Sequence, residues 1–316
     1  MAATVGCSSS SSSSSGDGDA TAATTTTTTQ PQPETYEPGD IATRTESFID
    51  AARPTAATDF SPAEASRTLE TTIAYPEPAT DPLPLVVLAH GLSGDPAKFS
   101  QLMTAWAQAG YVVAVPRFPR STDDQPGGQQ AAQFGDVVNQ PADVSFVIEE
   151  LLRLDEEADS PLHGRIDADH IGLAGHSAGG ITTYGVVYNS CCRDDRIEAA
   201  MLLAAPRDLI TFPDGSYEPR SIPALLIMAD GDFVYEQSNV VYPELAPPKW
   251  LITLHGGDAL RHASPFENAP DPSDQLVVEA TVAFWDLQLK DRADAAQTLT
   301  EAAQPPDGSA SLEHEE

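Results

Sequence analysis

The sequence predicts an α/β domain with a mostly parallel central sheet and helices on both faces. Short continuous apolar runs, such as PLVVLAH and PALLIMAD, alternate with longer segments whose apolar residues recur at helical spacing. Continuous apolar runs are typical of strands buried on both faces, and such strands occur in parallel sheets covered by crossover helices. Without its polar ends the chain retains about 250 residues, which suits one such domain.

Each element of this domain is predicted from its own run or spacing. Strands are predicted over residues 67–76, 84–90, 111–116, 170–175, 199–205, 223–230 and 250–256. Helices are predicted over residues 96–110, 141–154, 177–188 and 272–289. Gly110 ends the first helix, and Pro141 fits the first turn of the second because no N–H is required there. The polar segment 117–140 is longer than an ordinary connection, which predicts a functional or mobile segment.

The two ends of the chain are predicted to lie outside the domain. Residues 1–38 are rich in Ser and Thr and contain little apolar surface to bury, which predicts a disordered tether. The domain is expected over residues 39–292, followed by a polar C-terminal tail over residues 293–316. The segment between the strands 199–205 and 223–230 is short, which predicts little or no lid.

The composition excludes several classes of partner. The chain has 48 Asp and Glu against 16 Lys and Arg, for a net charge of −32, and such a surface repels the phosphates of nucleic acids. The sequence has no apolar run near the length that a membrane-spanning helix needs. Its cysteines and histidines do not show the spacing of a zinc site, and we predict neither a metal nor another cofactor.

The three cysteines fall into two groups. Cys7 ends the segment TVGC before the Ser/Thr-rich tether, which resembles the end of a bacterial lipoprotein signal. This resemblance predicts an exported protein that is lipid-anchored through Cys7, and so tethered to a membrane, or secreted. Cys191 and Cys192 are adjacent, and a bond between neighbours would close a small strained ring. We therefore expect two free thiols there.

Ser177 is predicted to be a catalytic nucleophile. It lies at the centre of a Gly-x-Ser-x-Gly motif with Gly175 and Gly179, at the end of a predicted strand and the start of a predicted helix. In this setting the turn lifts the serine hydroxyl above the sheet, and glycines occupy the positions where side chains would be crowded. The helix N-terminus behind the serine favours negative charge.

A nucleophilic serine needs a base and an orienting carboxylate, which in this fold follow it in the order acid, then histidine. Asp232 is the predicted acid because it follows a strand at a point where the loop has turned toward the site. Asp230, at the end of the same strand, is the alternative. His262 is the predicted base because its loop position allows it to reach back across the sheet. His255 still belongs to the strand end and is predicted to be a core or strand-edge histidine.

The oxyanion formed during such a reaction needs backbone N–H donors near the serine. One donor is predicted at Ala178, the residue after the nucleophile. The other is predicted at Leu92, in the loop that follows the strand ending in VVLAHGLSG. His90 is predicted to brace this loop and not to act as a second base.

These segments together resemble the α/β-hydrolase superfamily. More narrowly, they are similar to bacterial serine esterases near the platelet-activating-factor acetylhydrolases, the chlorophyllase-like proteins and the dienelactone-hydrolase-like proteins. The resemblance runs from about Arg44 to Leu289 and includes AHGLSGDPAKF, GHSAGG, ADGDFVY and HASPF. It implies catalytic and oxyanion-hole roles for Ser177, Asp232, His262, Leu92 and Ala178.

Two departures from these families affect the prediction. Dienelactone hydrolases use a cysteine nucleophile, which Ser177 replaces, and the strand before the acid ends in MADGD where an HG pair is usual. We predict a serine hydrolase that cleaves carboxylic esters through an acyl-enzyme intermediate, acting on a small-molecule or lipid-like ester. A phospholipid acyl hydrolase, a polyester hydrolase or a thioesterase on the same triad is the alternative. A non-catalytic binding protein on this fold is a further alternative, against which the presence of Ser177 and His262 counts.

Overall fold

A computed structural model describes residues 40–78, 81–207, 209–256 and 273–316 of the chain. Its strands are β1 (Ile41–Asp50), β2 (Arg67–Pro76), β3 (Leu83–Ala89), β4 (Val112–Arg117), β5 (Ile166–His176), β6 (Ile197–Leu203), β7 (Ala224–Ala229), β8 (Lys249–Leu254) and β9 (Ala310–Glu315). Its α-helices are α1 (Ser100–Gln108), α2 (Gln140–Glu156), α3 (Ala178–Tyr188), α4 (Tyr235–Asn239), α5 (Asp274–Leu289) and α6 (Ala295–Ala303). Short 3₁₀ helices occupy Pro96–Phe99, Gly128–Ala131, Phe134–Asn139 and Tyr242–Glu244.

The described strands form one open sheet in the order β1-β2-β4-β3-β5-β6-β7-β8-β9. The central strands from β4 to β8 are parallel to one another, whereas β2 is antiparallel to both of its neighbours and β9 is antiparallel to β8. This mostly parallel sheet with crossover helices confirms the predicted α/β fold. The connection between β6 and β7 contains no helix in its described residues.

Helices cover both faces of the sheet. α2 and α3 contribute Val147 and Tyr184 to the core on one face, and α1, α5 and α6 contribute Trp106, Trp285 and Leu299 to the core on the other. Successive residues of β3 alternate between the two cores: Leu85, Val87 and Ala89 belong to the first, Val86 and Leu88 to the second. Burial of each large apolar side chain contributes roughly 1.5–3 kcal/mol. Burial on both faces therefore explains why the strands have continuous apolar runs.

The sequence analysis does not predict β1, although it pairs with β2 along its whole length. Its sequence, IATRTESFID, contains mostly half-buried or exposed side chains, and Phe48 is its main contribution to the core. An edge strand needs only one buried face, and here that face contains few large apolar residues. The pairing with β2 therefore determines this strand more than its own hydrophobic pattern does.

The C-terminal segment corrects the predicted end of the domain at residue 292. Within 293–316, which we predict to be a polar tail, α6 buries Leu299 in the second core and β9 pairs with β8, with Ala310 opposite Leu254. The segment is polar in composition because an amphipathic helix and an edge strand each bury only one face. It nevertheless belongs to the domain.

A buried ion network joins the start of β2 to the start of α2. The Arg67 guanidinium donates to both carboxylate oxygens of Asp143 at 2.6 Å and to both oxygens of Asp136 at 3.0 and 2.8 Å. Arg53 adds a second cation to Asp143 at 2.8 Å. Arg67 and both carboxylates are buried. A buried carboxylate is tolerated only when it is paired, so the network depends on Arg67.

We expect Arg67→Met to lower the free energy of unfolding by about 3–5 kcal/mol, because two buried carboxylates lose their main cation. Urea unfolding followed by circular dichroism measures this loss. Arg153→Met is the matched control, since Arg153 is an exposed arginine of α2 that pairs with Glu150 and Glu157 on the surface. The control variant is expected to lose at most about 1 kcal/mol. If both variants lost the same free energy of unfolding, the buried network would not stabilise the fold more than a surface ion pair does.

Candidate active site

Ser177 lies in a tight turn between β5 and α3. Its φ is 51°, a left-handed value that is unusual for a residue with a side chain. The turn needs both glycines of the motif, because a Cβ at Gly175 would lie 2.2 Å from the Gly179 carbonyl oxygen. A Cβ at Gly179 would lie 2.0 Å from the Ala89 carbonyl oxygen. The Gly-x-Ser-x-Gly sequence therefore lies between a strand and a helix, which is the setting in which this motif indicates a nucleophilic serine.

Backbone hydrogen bonds hold the serine at the carboxyl edge of the parallel strands. The Ser177 N–H donates to the Leu203 carbonyl at 2.9 Å, and the Ser177 carbonyl accepts from the Gly180 N–H at 2.8 Å. Ser177 is half-buried, and all residues of α3 behind it are buried. The serine hydroxyl is thus placed at the N-terminus of a helix, where developing negative charge is stabilised.

The loop that carries the predicted oxyanion donor Leu92 lies against this turn, and we call it the oxyanion loop after that prediction. A Cβ at Gly91 would lie 3.1 Å from the Ser177 Cβ. The Gly91 carbonyl accepts from the Gly94 N–H at 2.9 Å and from the His90 ring at 2.8 Å. Because the peptide group is planar and trans, these bonds fix the Leu92 N–H, which points opposite to the Gly91 carbonyl.

The two predicted oxyanion donors have N–H groups available to a ligand. Leu92 donates to no backbone carbonyl among the described residues. Ala178 is the first residue of α3, and the first N–H groups of a helix have no intrahelical acceptor. Both residues flank Ser177: Leu92 lies in the loop after the neighbouring strand β3, and Ala178 follows Ser177 directly in the chain.

His90 is fully buried beneath the oxyanion loop. Its Nε2 accepts from the Phe118 N–H at 3.1 Å, and a backbone N–H can only donate, so the ring proton lies on Nδ1 and is donated to Gly91. Burial lowers the pKa of His90 to about 4. The ring is therefore neutral near pH 7, and its two bonds join the loop to the end of β4.

The long polar segment 117–140 also contacts the oxyanion loop. The Ser93 N–H donates to the Ser121 carbonyl at 2.7 Å, and Lys98 donates to the Ser93 carbonyl at 2.6 Å while pairing with Asp123 at 2.5 Å. Ser93 has a φ of 59°, so these bonds hold a conformation that the residue rarely adopts. The sequence analysis does not identify Lys98, whose contacts depend on the fold.

The two candidate acids after β7 have different surroundings. Asp232 is buried, and its carboxylate accepts from the Val234 N–H at 3.0 Å. Asp230 is exposed and lies 3.0 Å from His255 Nδ1, and His255 Nε2 lies 2.9 Å from the Ser311 hydroxyl on β9. Asp230 and His255 therefore form part of a surface hydrogen-bond chain toward the sheet edge. The predicted base His262, like Cys7, lies outside the described residues.

Ala178, the predicted oxyanion donor, belongs to a small apolar cluster. Val137, Ile181 and Phe212 are its other buried members, and Cys192 packs against it. Cys191 and Cys192 are joined by a disulfide bond, which corrects the expectation of two free thiols. Loop contacts favour this bond: the Asn189 side chain accepts from the Cys191 N–H at 3.1 Å and the Asn189 carbonyl from the Cys192 N–H at 3.2 Å.

Neither a metal site nor a membrane span is found in the described part of the chain. No group of three His, Cys, Asp or Glu side chains among these residues is arranged to hold a metal ion. No helix in the same residues combines the length and the apolar character needed to cross a bilayer.

The buried His90 is expected to make the fold sensitive to acid. Its pKa of about 4 lies below the ordinary value of about 6.5, so the unfolded chain binds its proton first as the pH falls. Between pH 7 and 4.5 this linkage removes roughly 2–3 kcal/mol from the free energy of unfolding, whereas above pH 7 it removes nothing. Urea unfolding at both pH values measures the loss.

Two variants separate His90 from the other groups that titrate in this range. His90→Gln is expected to show a smaller loss between pH 7 and 4.5, although it is less stable at both values. His163→Gln changes an exposed histidine and is expected to keep the full wild-type loss. The same pH dependence in His90→Gln and in the wild type would refute the assignment.

Comparisons with known proteins support the fold. No family model matches the sequence, and no curated protein matches it. Among solved structures, the chain is similar to a ferulic acid esterase from Streptomyces cinnamoneus, with a TM-score of 0.62 and 20% sequence identity. The match covers 86% of this chain and 96% of the esterase chain. The described chain is thus an α/β protein whose sheet and helices follow the architecture of that esterase.

Proposed function

We propose that this protein is a serine hydrolase that cleaves carboxylic esters. The observation that carries the proposal is Ser177 in a left-handed turn at the start of α3, with the Gly91–Leu92 peptide held against it. A serine hydroxyl, a helix N-terminus and an oriented backbone N–H meet there, as acyl transfer requires. The structural likeness to a ferulic acid esterase supports the same reaction class.

The proposed reaction proceeds through an acyl-enzyme. The Ser177 hydroxyl attacks the ester carbonyl carbon while His262 takes its proton, and the N–H groups of Leu92 and Ala178 stabilise the oxyanion. The C–O bond to the alcohol then breaks, and His262 gives the proton to the departing oxygen. Water attacks the acyl-enzyme in the same way and releases the acid. Asp232 holds the imidazole in the correct tautomer throughout.

The choice of Asp232 over Asp230 is supported by their surroundings. Asp232 is buried behind the carboxyl edge of the sheet, where an orienting carboxylate is shielded from water. Asp230 is exposed and already bonded to His255, which in turn contacts Ser311 at the far side of β8. These contacts direct the Asp230–His255 pair toward β9 and away from β5.

The proposed substrate is an ester with an apolar or aromatic acyl group. The apolar cluster next to Ala178 supports this choice, since Ile181 and Phe212 lie beside the proposed oxyanion hole. Esters of ferulic acid are candidates because of the structural likeness. Phospholipids, polyesters and thioesters are the alternatives, the first of which would extend the resemblance to platelet-activating-factor acetylhydrolases. A folded protein that cleaves none of these would instead be a binding protein.

We propose export of this protein, with an N-terminal lipid anchor on Cys7 or release into the medium. The support is the TVGC segment followed by the Ser/Thr-rich residues. Metabolic labelling with radioactive palmitate tests the anchor. Label that persists in Cys7→Ser would exclude Cys7 as its site.

We expect Ser177→Ala to lower kcat on p-nitrophenyl esters by roughly 10⁴-fold or more, because the variant lacks the attacking oxygen. The panel runs from acetate to palmitate and includes an ester of ferulic acid. Ser160→Ala is the matched control, as Ser160 lies in the turn after α2, and it should retain wild-type turnover. Hydrolysis that survives in Ser177→Ala would refute the mechanism.

The acid and base are tested by paired substitutions. We expect Asp232→Asn to lower kcat by about 10⁴-fold, because an amide favours the wrong imidazole tautomer. His262→Ala is expected to cause a similar loss. Asp230→Asn and His255→Ala are the controls and should change kcat by less than about tenfold, since their contacts support only the sheet edge. A reversed order within either pair would transfer the role to the other residue.

A further inference from the structure

The exposed apolar side chains of this protein are not scattered evenly over its surface. Among the described residues, the large apolar side chains with the highest exposure are Ile49, Phe60, Leu92, Leu209, Phe233 and Val240, between 42% and 69% exposed. Val240 follows α4, and Phe60 lies in the long connection after β1. Ile49 lies near the carboxyl end of β1, and Leu92, Leu209 and Phe233 follow the carboxyl ends of β3, β6 and β7. These ends share one edge of the sheet with Ser177, since β1 runs in the same direction as the parallel strands.

Four of these side chains, Phe60, Leu92, Leu209 and Phe233, form what we call the apolar rim. Leu92 follows β3 and Leu209 follows β6, which are the two neighbours of β5 in the sheet. Ser177, at the end of β5, therefore lies between them. Each strand-to-strand step is about 4.8 Å, so the ends of β3 and β6 flank the serine at short range.

The outer two members extend the apolar rim in both directions. Phe233 follows β7, one strand beyond β6. Phe60 packs over Gly127 in the connection after β4, where a Cβ would lie 2.5 Å from the phenyl ring, and β4 is one strand beyond β3. The rim residues thus lie in connections that follow or contact those of β4, β3, β6 and β7, and β5 with Ser177 is the central strand of this set. The five strands together are about 19 Å wide. Single exposed apolar residues are ordinary, but a centred series around a reactive serine indicates a binding surface.

The charges of the chain restrict what this surface can bind. Every lysine and arginine that the structure describes lies within 3.8 Å of a carboxylate oxygen. The net charge of −32 repels anionic surfaces. The described residues therefore offer no cation without a carboxylate partner to attract phosphate headgroups, which argues against an anionic partner. The apolar side chains of the rim favour an uncharged surface, because they gain nothing from contact with charged groups.

We propose that the apolar rim docks this protein on the surface of an uncharged, aggregated ester, such as a neutral polyester or an ester emulsion. This inference rests on the proposed function, and it specifies the physical form of the substrate. Burial of the rim side chains against an apolar surface is favourable. Because Ser177 lies at the centre of the rim, docking brings its hydroxyl to the ester groups of that surface.

Adsorption to polycaprolactone particles tests the proposal without catalysis. All proteins carry Ser177→Ala, and depletion from solution gives the adsorption constant. We expect Phe60→Ser combined with Leu209→Ser to weaken adsorption at least tenfold. Ile49→Ser is the matched control, because Ile49 is more exposed than Phe60 and Leu209 but lies on β1, two strands beyond β4. It should adsorb as the parent does. Equal adsorption by the double variant and the parent, with both folded by circular dichroism, would overturn the proposal.

A second measurement distinguishes this proposal from the proposed function. With Ser177 restored, the ratio of polycaprolactone hydrolysis to p-nitrophenyl acetate hydrolysis should fall at least tenfold in the double variant. If the wild type adsorbs through the rim but hydrolyses neither ester, the proposed function fails while the docking surface stands. If the wild type prefers anionic phosphatidylglycerol vesicles to polyester, or if the rim mediates a dimer in gel filtration, the inference is wrong.

Discussion

The close approach of α3 to the ends of β3 and β5 is the constraint on which the candidate site depends. Carbonyl oxygens lie 2.2 and 2.0 Å from the positions that Cβ atoms of Gly175 and Gly179 would occupy. The turn between them gives Ser177 a φ of 51°, a conformation that costs about 1–3 kcal/mol. Burial of α3 along its entire length offsets this cost. The same packing places the helix N-terminus and the oxyanion loop on either side of the hydroxyl.

The oxyanion loop depends on contacts made far from it in the sequence. His90 connects the loop to the end of β4, and Lys98 connects Ser93 to Asp123. The segment 117–140 that supplies these partners is in turn attached to the domain by the buried pairing of Arg67 with Asp136. The polar segment thus acts as a support for the loop, which explains its length and its ordered 3₁₀ turns.

Acidic groups exceed cations in this protein, and the described cations are paired both in the core and on the surface. Its described cations are all paired with carboxylates, and the excess of acidic groups faces solvent. The apolar rim follows the edge of the sheet where Ser177 lies. An acidic exterior repels anionic surfaces, while the apolar side chains of the rim favour contact with apolar esters. The acidic surface and the apolar rim together favour contact with an uncharged ester at the edge that carries Ser177.

The sequence alone determined the α/β architecture, because strands buried on both faces and amphipathic helices leave local patterns that need no knowledge of their partners. It also indicated the turn at Ser177, since crowding there permits only glycine at two fixed positions. The tertiary structure decided what depends on pairing between distant segments. The pairing of β1 with β2 and of β9 with β8 brought polar segments into the sheet. The bond between Asp230 and His255, and that of His255 to Ser311 on β9, likewise join segments that are far apart in the sequence. These outcomes are set by neighbours in space, which a one-dimensional pattern does not record.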